Sequence, residues 1–472
     1  MTFNLFFRLS ALIILLGLTS FSINAKSYKS KAYDCKADPG WFNGSVTMPV
    51  EVKKSNPDGT SDFCDFYQFS WQAFLYLMST DPTDSSQRNF QNENNYPILE
   101  FNTDGTPANS CDTKPAAQRF RVSLQKSTTI PESINQAGDG ATIYDQNGNV
   151  VYYDVRFSRN MCDVSSINQL TNFPTGTTEI KTAWRVITSA EASNYINMTA
   201  NVGTQKDVLL GLVGMHLAIA TTDHPEFVWA TYEHNNNSPD CAKPGQSTGW
   251  LFASPQCTDA LIKGDSLAIV QCQFNQADKQ SASQITGTPT EICREYPYGT
   301  AASDPNAEEN LGDVTSLNQH VRDNLKGDLA VLKNYFNVGD LWVSNIALSS
   351  DISNQRGSLR LANTVAETTF QDVDIHSKNF ISNCFGCHNY TGESQNKNKN
   401  TTSGSLSHIF DDIAAGLNQC LDVQAGPIMS NSDAQTKCPS TCKNASSALG
   451  KWNGQWRTTV PGRMSVCGCC AP

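Results

Sequence analysis

The chain reads as an α+β protein: a large β-rich N-terminal region with a few helices, followed by a small, mainly α C-terminal domain. Three observations predict this class. The composition is rich in Asn, Ser and Thr, only 17% of residues are charged and long apolar runs are few, which suits strands and loops better than a helical bundle. Two-residue alternation of apolar side chains is strongest over residues 208–234. Helical spacing is confined to residues 62–80, 316–338 and 408–417. At 472 residues the chain exceeds one hydrophobic core, so it is expected to divide into a leader at 1–25, an N-terminal region at 26–370 and a C-terminal domain at 371–472.

Residues 1–25 hold one charge, Arg8, then an apolar run from Leu12 to Leu18, then small and polar residues ending at Ala25. This is the pattern of a cleaved secretory leader, and the run is too short to span a bilayer. No later segment has the length and apolarity of a membrane span, so stable membrane insertion is not expected. Over 62–80, Ser61 or Asp62 caps a helix with Phe66, Phe69, Phe74, Leu77 and Met78 on one stripe, widened by Tyr67 and Trp71. Asn147-Gly148 lies between two strand-like runs in 144–153, a hairpin signal, and 180–187 alternates as a strand. Residues 210–220 and 227–234 form two strands around a turn at 222–226. If that turn centres on His224-Pro225, His216 lies opposite Glu233 or His234. Residues 276–313 are rich in Ser, Thr, Pro, Ala and Asn and are expected to be a linker. Residues 316–338 place Leu317, Val321, Leu325, Leu329, Leu332 and Phe336 on one helical face, weakened by Gly327, and 340–348 continues as extended chain. Residues 391–407 form a polar low-complexity loop, and 408–417 a short helix.

The chemistry concentrates in the cysteines and histidines. A net charge of −11 without basic clusters argues against nucleic-acid partners and anionic lipid. Residues 384–388 spell C-x-x-C-H, the attachment pattern for one covalent haem c, with thioethers at Cys384 and Cys387 and His388 as the proximal iron ligand. For the sixth ligand the expectation is His408, with Met429 as the alternative; Met464, His216 and His376 are further candidates. The other fourteen of the sixteen cysteines are an even number in an exported chain, which favours disulfides over zinc for the cluster Cys438, Cys442, Cys467, Cys469 and Cys470. Cys469 and Cys470 are adjacent, so each is expected to reach a distant partner. His216, Glu233 and His234 are the catalytic candidates; the competing role for them is as hydrogen-bonded strand residues.

Seven segments, in chain order, carry a resemblance: FSWQAFL at 69–75, AWRV at 183–186, GLVGMH at 211–216, FVWATYEH at 227–234, LANT at 361–364, the pentapeptide, and LSHIF at 406–410. In these the chain resembles a family of exported bacterial monohaem cytochrome c proteins, which join a long N-terminal region of unassigned chemistry to a C-terminal haem segment. The resemblance implies a cytochrome c-like C-terminal domain, a periplasmic or secreted location, and single-electron transfer with a redox partner protein. The residues leave two other functions open. One is a haem-dependent oxidoreductase with a substrate site near His216 and His234. The other is a binding module that docks a protein or glycan, with the haem as sensor or anchor. The cysteine-rich tail from Cys420 to Cys470 departs from a minimal cytochrome.

Overall fold

In the computed structural model the described residues are 33–43, 46–98, 142–163, 173–202, 205–277, 285–348, 350–371, 381–388, 406–407, 420–445, 450–460 and 462–470. The leader expected at 1–25, His376, His408 and the helix expected at 408–417 lie outside them.

Helix α1 (Phe63–Met78) begins where the sequence places it. The Asp62 carboxylate accepts the Asp65 amide at 2.9 Å and the Asp65 carboxylate accepts the Asp62 amide at 3.1 Å, a reciprocal cap that contributes about 1 kcal/mol. The predicted aromatic stripe is buried. Phe66 stacks on Trp342 at 3.8 Å and Phe74 on Tyr232 at 3.9 Å between ring centres.

Those aromatic partners stand on a seven-stranded antiparallel sheet. Its strands are β1 (Tyr152–Phe157), β2 (Thr178–Val186), β3 (Asn197–Val202), β4 (Gln205–Ile219), β5 (Val228–His234), β6 (Tyr335–Val343) and β7 (Gln355–Gly357). The order is β1-β2-β4-β5-β6-β7, and β3 pairs with the first half of β4. The expected hairpin at 144–153 is present as a tight turn: the Gly148 amide donates to the Asp145 carbonyl at 2.8 Å, and Gly148 takes a φ of +77°, which explains the glycine after Asn147.

The β4–β5 pair forms as expected but out of the expected register: His216 faces Thr231, two residues from Glu233 and three from His234, and Glu233 faces Gly214. The chain reverses about Asp223-His224, where the Thr221 and Phe227 amides both donate to the His224 carbonyl. Moving the centre of reversal by one residue shifts each partner by two, and an even shift keeps every side chain on its face.

Between β5 and β6 lie α2 (Pro255–Lys263), α3 (Ser266–Cys272) and α4 (Ala307–Asn324). The structure departs here from the expected 316–338 helix. Helix α4 starts inside the expected linker and stops at Asn324, Gly327 takes a φ of +63°, and Tyr335–Val343 is a strand. All nine residues of β6 are buried, so the strand lacks the alternation that marks a half-buried one, and its apolar residues mimic helical spacing.

One face of the sheet packs on α1 and α4, through Ile180, Trp184, Leu212, Met215 and Tyr232 against Phe74, Leu77, Leu317 and Val321. On the other face, Ala218, Trp229 and Val338 share a core with Phe385, Leu406, Val423 and the buried cysteines Cys438, Cys442, Cys467 and Cys469. This second core joins residues from both sides of the boundary expected near 371.

The small, mainly α cytochrome c-like domain is corrected by the structure. After α5 (Cys384–Cys387), a single turn, the described residues form β8 (Cys420–Gly426), α6 (Asn431–Ala445), β9 (Lys451–Val460) and β10 (Met464–Cys470), a three-stranded antiparallel sheet in the order β8-β10-β9 with one helix among the described residues. Cysteines at every second position of β10 and the apolar Val423, Met464 and Val466 make strands there rather than helices. No described helix is long and apolar enough to cross a membrane.

A buried acid in β6 gives the fold a pH signature. Burial raises the Asp340 carboxyl from 3.8 to about 8, against the opposing hydrogen bonds from Asn337 and Ser70. The folded state therefore holds a proton that the unfolded chain releases near its ordinary value. This contribution to stability is complete below that value and is lost as pH rises through about 8. Glu179 on β2 has the same direction and a similar value. Urea unfolding of Asp340→Asn should show a weaker loss of stability than the wild type as pH is raised from about 5 to about 8.5. An unchanged pH slope would mean that the carboxyl is ionised in the fold.

Candidate functional site

The C-terminal unit is held by sulfur. Cys438 and Cys442 lie four residues apart on α6 and so share one face of the helix; Cys467 and Cys469 alternate on β10 and share one face of the strand. Two disulfides, Cys438–Cys467 and Cys442–Cys469, tie those faces together with Cα separations of 5.4 and 5.2 Å. All four residues are fully buried. A unit this small has little apolar area to bury, and the disulfides substitute for it. The sequence expectations of disulfides over zinc and of a distant partner for Cys469 hold here. Cys470 is also disulfide-bonded. Three further disulfides, Cys35–Cys64, Cys241–Cys293 and Cys257–Cys272, brace the N-terminal region and fit an oxidising compartment.

Strand β9 lies at the edge of the small sheet and carries a bulge. Trp456 pairs with Cys467 and Trp452 with Cys469, so four steps on β9 match two on β10 and residues 453–455 stand out. Gly454 takes a φ of +85° at the turn of the bulge. The Trp452 indole donates to the Gln455 carbonyl at 2.8 Å, the Gln455 amide donates to Asn453 Oδ1 at 2.8 Å, and the Trp456 indole donates to Asn431 Oδ1 at 2.8 Å at the start of α6. Gly468 lies under the Asn453 carboxamide; a Cβ there would sit 2.4 Å from Asn453 Oδ1. The result is a fixed platform. Two half-buried indoles are set among the exposed polar side chains of Lys451, Asn453, Gln455, Arg457 and Thr458. Flat apolar rings beside amide and hydroxyl groups suit a ligand with alternating C–H faces and hydroxyls.

The pentapeptide forms one helical turn. Asn383 caps it, accepting the Gly386 amide at 3.0 Å, and its own amide donates to Gln355 Oε1 and the Leu359 carbonyl, each at 2.7 Å. His388 Nδ1 lies 3.1 Å from the Leu406 carbonyl, and its ring centre lies 4.7 Å from that of Trp229 on β5. Cys384 is half-buried; the side chain of Cys387 lies outside the description. Of the iron-ligand candidates, Met429 is 75% exposed, Met464 is buried in the small unit, and His408 and His376 are outside the described residues.

The three catalytic candidates do not converge. Glu233 is fully buried and committed to structure: it accepts Arg294 Nη2, the Thr364 amide and the Thr364 hydroxyl, each at 2.7 Å. His234 projects from the opposite face of β5. It stacks on Tyr195 at 4.5 Å, and burial lowers its imidazole to about 4. His216 shares the Glu233 face but pairs elsewhere, with Nε2 2.9 Å from Glu367 Oε1. Sequence reasoning missed Glu367, Glu179 and Lys181. The signal for the last two was present as charges alternating with Thr178, Ile180 and Thr182 in an otherwise buried strand.

Comparison with known proteins bears on the small unit. Residues 431–469 match the family described as MVL, mannan-binding protein. The match covers α6, β9 and β10 as far as Cys469, the platform and both disulfides included. No curated protein and no solved structure matches the chain. The resemblance to exported monohaem cytochrome c proteins is therefore corrected, and with it the electron-carrier function and the redox partner: residues 431–469 are similar to a family described as mannan-binding, and their described residues form two strands and a helix. The haem c expected on Cys384 and Cys387 draws no support from that match.

Removing one of the paired disulfides should loosen the platform. Cys442→Ala/Cys469→Ala is expected to lower the stability of the C-terminal unit by about 2–4 kcal/mol. Hydrogen exchange of the α6 and β10 amides would report it, and unchanged protection would show that the apolar contacts suffice.

Proposed function

We propose that the chain is an exported glycan-binding protein whose C-terminal unit holds a mannose-rich polysaccharide on the β9 platform. One observation carries this: the family match over residues 431–469 falls on the segment in which Trp452, Trp456, Asn453 and Gln455 are fixed around a bulge. The indole faces supply apolar contact to the sugar rings, and the amide and guanidinium groups supply hydrogen bonds to hydroxyls. Because each indole nitrogen is already engaged, the rings are set before the ligand arrives, which reduces the ordering entropy of binding. The partner on this account is a polysaccharide, and the disulfides support a periplasmic or secreted location.

Isothermal titration of the full chain with mannan tests the proposal. Wild type should bind, and Trp452→Ala or Trp456→Ala should each weaken binding at least about tenfold with both disulfides still formed. Absence of heat with mannan, or full affinity in both variants, would overturn it.

A further inference from the structure

The net charge of the chain conceals an asymmetry that bears on the β9 platform. Residues 421–472 carry five basic side chains, Lys437, Lys443, Lys451, Arg457 and Arg463, against two acidic ones, Asp422 and Asp433, a net of +3. The other 420 residues carry 29 basic against 43 acidic, a net of −14. A basic module on an acidic chain points to an acidic partner for that module. The core that the small unit shares with the large sheet is apolar, built from Val423, Ile428, Ala434 and the paired cysteines, so packing does not require the excess. Of the two acids, Asp433 is taken by Lys437 at 3.2 Å and by the Met429 amide at 3.1 Å, and Asp422 stands on β8, at the other edge of the small sheet from β9.

The register places two of these cations on the platform. Lys451 faces Cys470 and Arg457 faces Val466. Residues directly opposite in an antiparallel pair project from the same face, and Cys470 and Val466 lie four apart on β10. Lys451 and Arg457 therefore share one face, about 13 Å apart along the strand. The Asn453 carboxamide lies over Gly468, midway between them. Trp452 and Trp456 face Cys469 and Cys467 and so project from the other face, the one toward α6. An exposed cation adjoins each indole in the chain, Lys451 before Trp452 and Arg457 after Trp456. A polymer laid along the edge of β9 meets aromatic rings on one side and positive charge on the other. Lys443 in the last turn of α6 and Arg463 beyond the end of β9, both exposed, add to the field at either end.

We propose that the platform selects an acidic polysaccharide, a mannose-rich chain that carries phosphate or carboxylate groups. This rests on the glycan-binding function proposed above and adds the charge of the ligand to it. The indoles hold sugar rings, while Lys451 and Arg457 hold the anionic substituents. The guanidinium offers paired donors that match phosphate or carboxylate oxygens, and the ammonium acts as a point charge. Exposed ion pairs contribute little singly, but two together favour a charged chain over a neutral one by about tenfold at low salt. The acidic remainder of the chain repels the same polymer, which confines it to the small unit. The bulge and the lysine also discourage another strand from pairing with β9, so the edge stays open for the ligand.

The test titrates the full chain with neutral mannan, with phosphorylated mannan and with mannan oxidised to its uronic acid form, at about 50 mM and about 500 mM salt. At low salt a charged form should bind about tenfold more tightly than the neutral one, and at high salt the advantage should fall below about twofold. The charged form with the larger gain identifies the group recognised. Lys451→Gln should cut the advantage about threefold and Lys451→Arg should keep it, whereas a purely structural lysine would change neutral and charged chains alike. Equal affinity for neutral and charged mannan, with binding still weakened in Trp456→Ala, overturns the charge preference and leaves the glycan-binding function standing. Binding of charged mannan alone does the reverse: it keeps the charge preference and overturns the reading with neutral mannan. A full advantage retained in Lys451→Gln/Arg457→Gln overturns the proposal. So does binding of phosphatidylglycerol vesicles as tight as that of charged mannan, because the face would then read charge without sugar.

Discussion

The pairing of β4 with β5 is the constraint on which the arrangement of the N-terminal region depends. These strands lie at the middle of the seven-stranded sheet, and the alternation of their side chains decides what each face holds. Val228, Ala230 and Tyr232 point to α1; Trp229, Thr231 and Glu233 point to the opposite layer. A slip of one residue would exchange the two sets, placing an arginine-paired carboxylate in an aromatic core and a stacking tyrosine in a polar network. The register is held from both sides. Phe74 and Trp71 seat on Tyr232, and Arg294 and Thr364 seat on Glu233.

That constraint explains why nearness in sequence misleads about sites. Glu233 and His234 are neighbours along the chain, yet they occupy different layers, and burial holds the His234 imidazole neutral between two aromatic rings. His216 instead meets Glu367, a loop residue 151 positions away that no local pattern connects to it. Long-range pairing of this kind is a property of topology, and topology is not written in any window of sequence.

Much of the fold was legible where the local signal and the tertiary demand coincide. Asp62 with Asp65 marks the start of α1, Asn147-Gly148 marks a turn, and apolar alternation marks β2, β4 and β5. The signal failed where burial removed the period. Strand β6 is covered on both faces, so Phe336 fell on a helical spacing with Leu332, which precedes the strand, by coincidence; the helix stops at an extended Leu325, two residues before the left-handed Gly327 that registered only as a weakness. The platform on β9 was not legible because a bulge is set by the mismatch between two strands, and neither strand shows the mismatch alone.

The C-terminal segment shows how differently two cysteine patterns carry information. C-x-x-C-H at 384–388 is five residues long, and any single turn with an Asn cap and a following histidine accommodates it; the structure shows such a turn, wedged between Gln355 and Trp229. Cys438 and Cys442 at helical spacing, answered by Cys467 and Cys469 at strand spacing, encode more, because the two periods name two elements and the shared parity names the faces that meet. The cysteines read as an unexplained tail are therefore the part of the chain that specifies a fold. The short motif specifies a local turn, and its chemistry depends on what the surrounding layers bring to it. A helix stapled to a central strand leaves the far edge of the small sheet free to bulge, and the bulge is where Trp452 and Trp456 are held for a ligand.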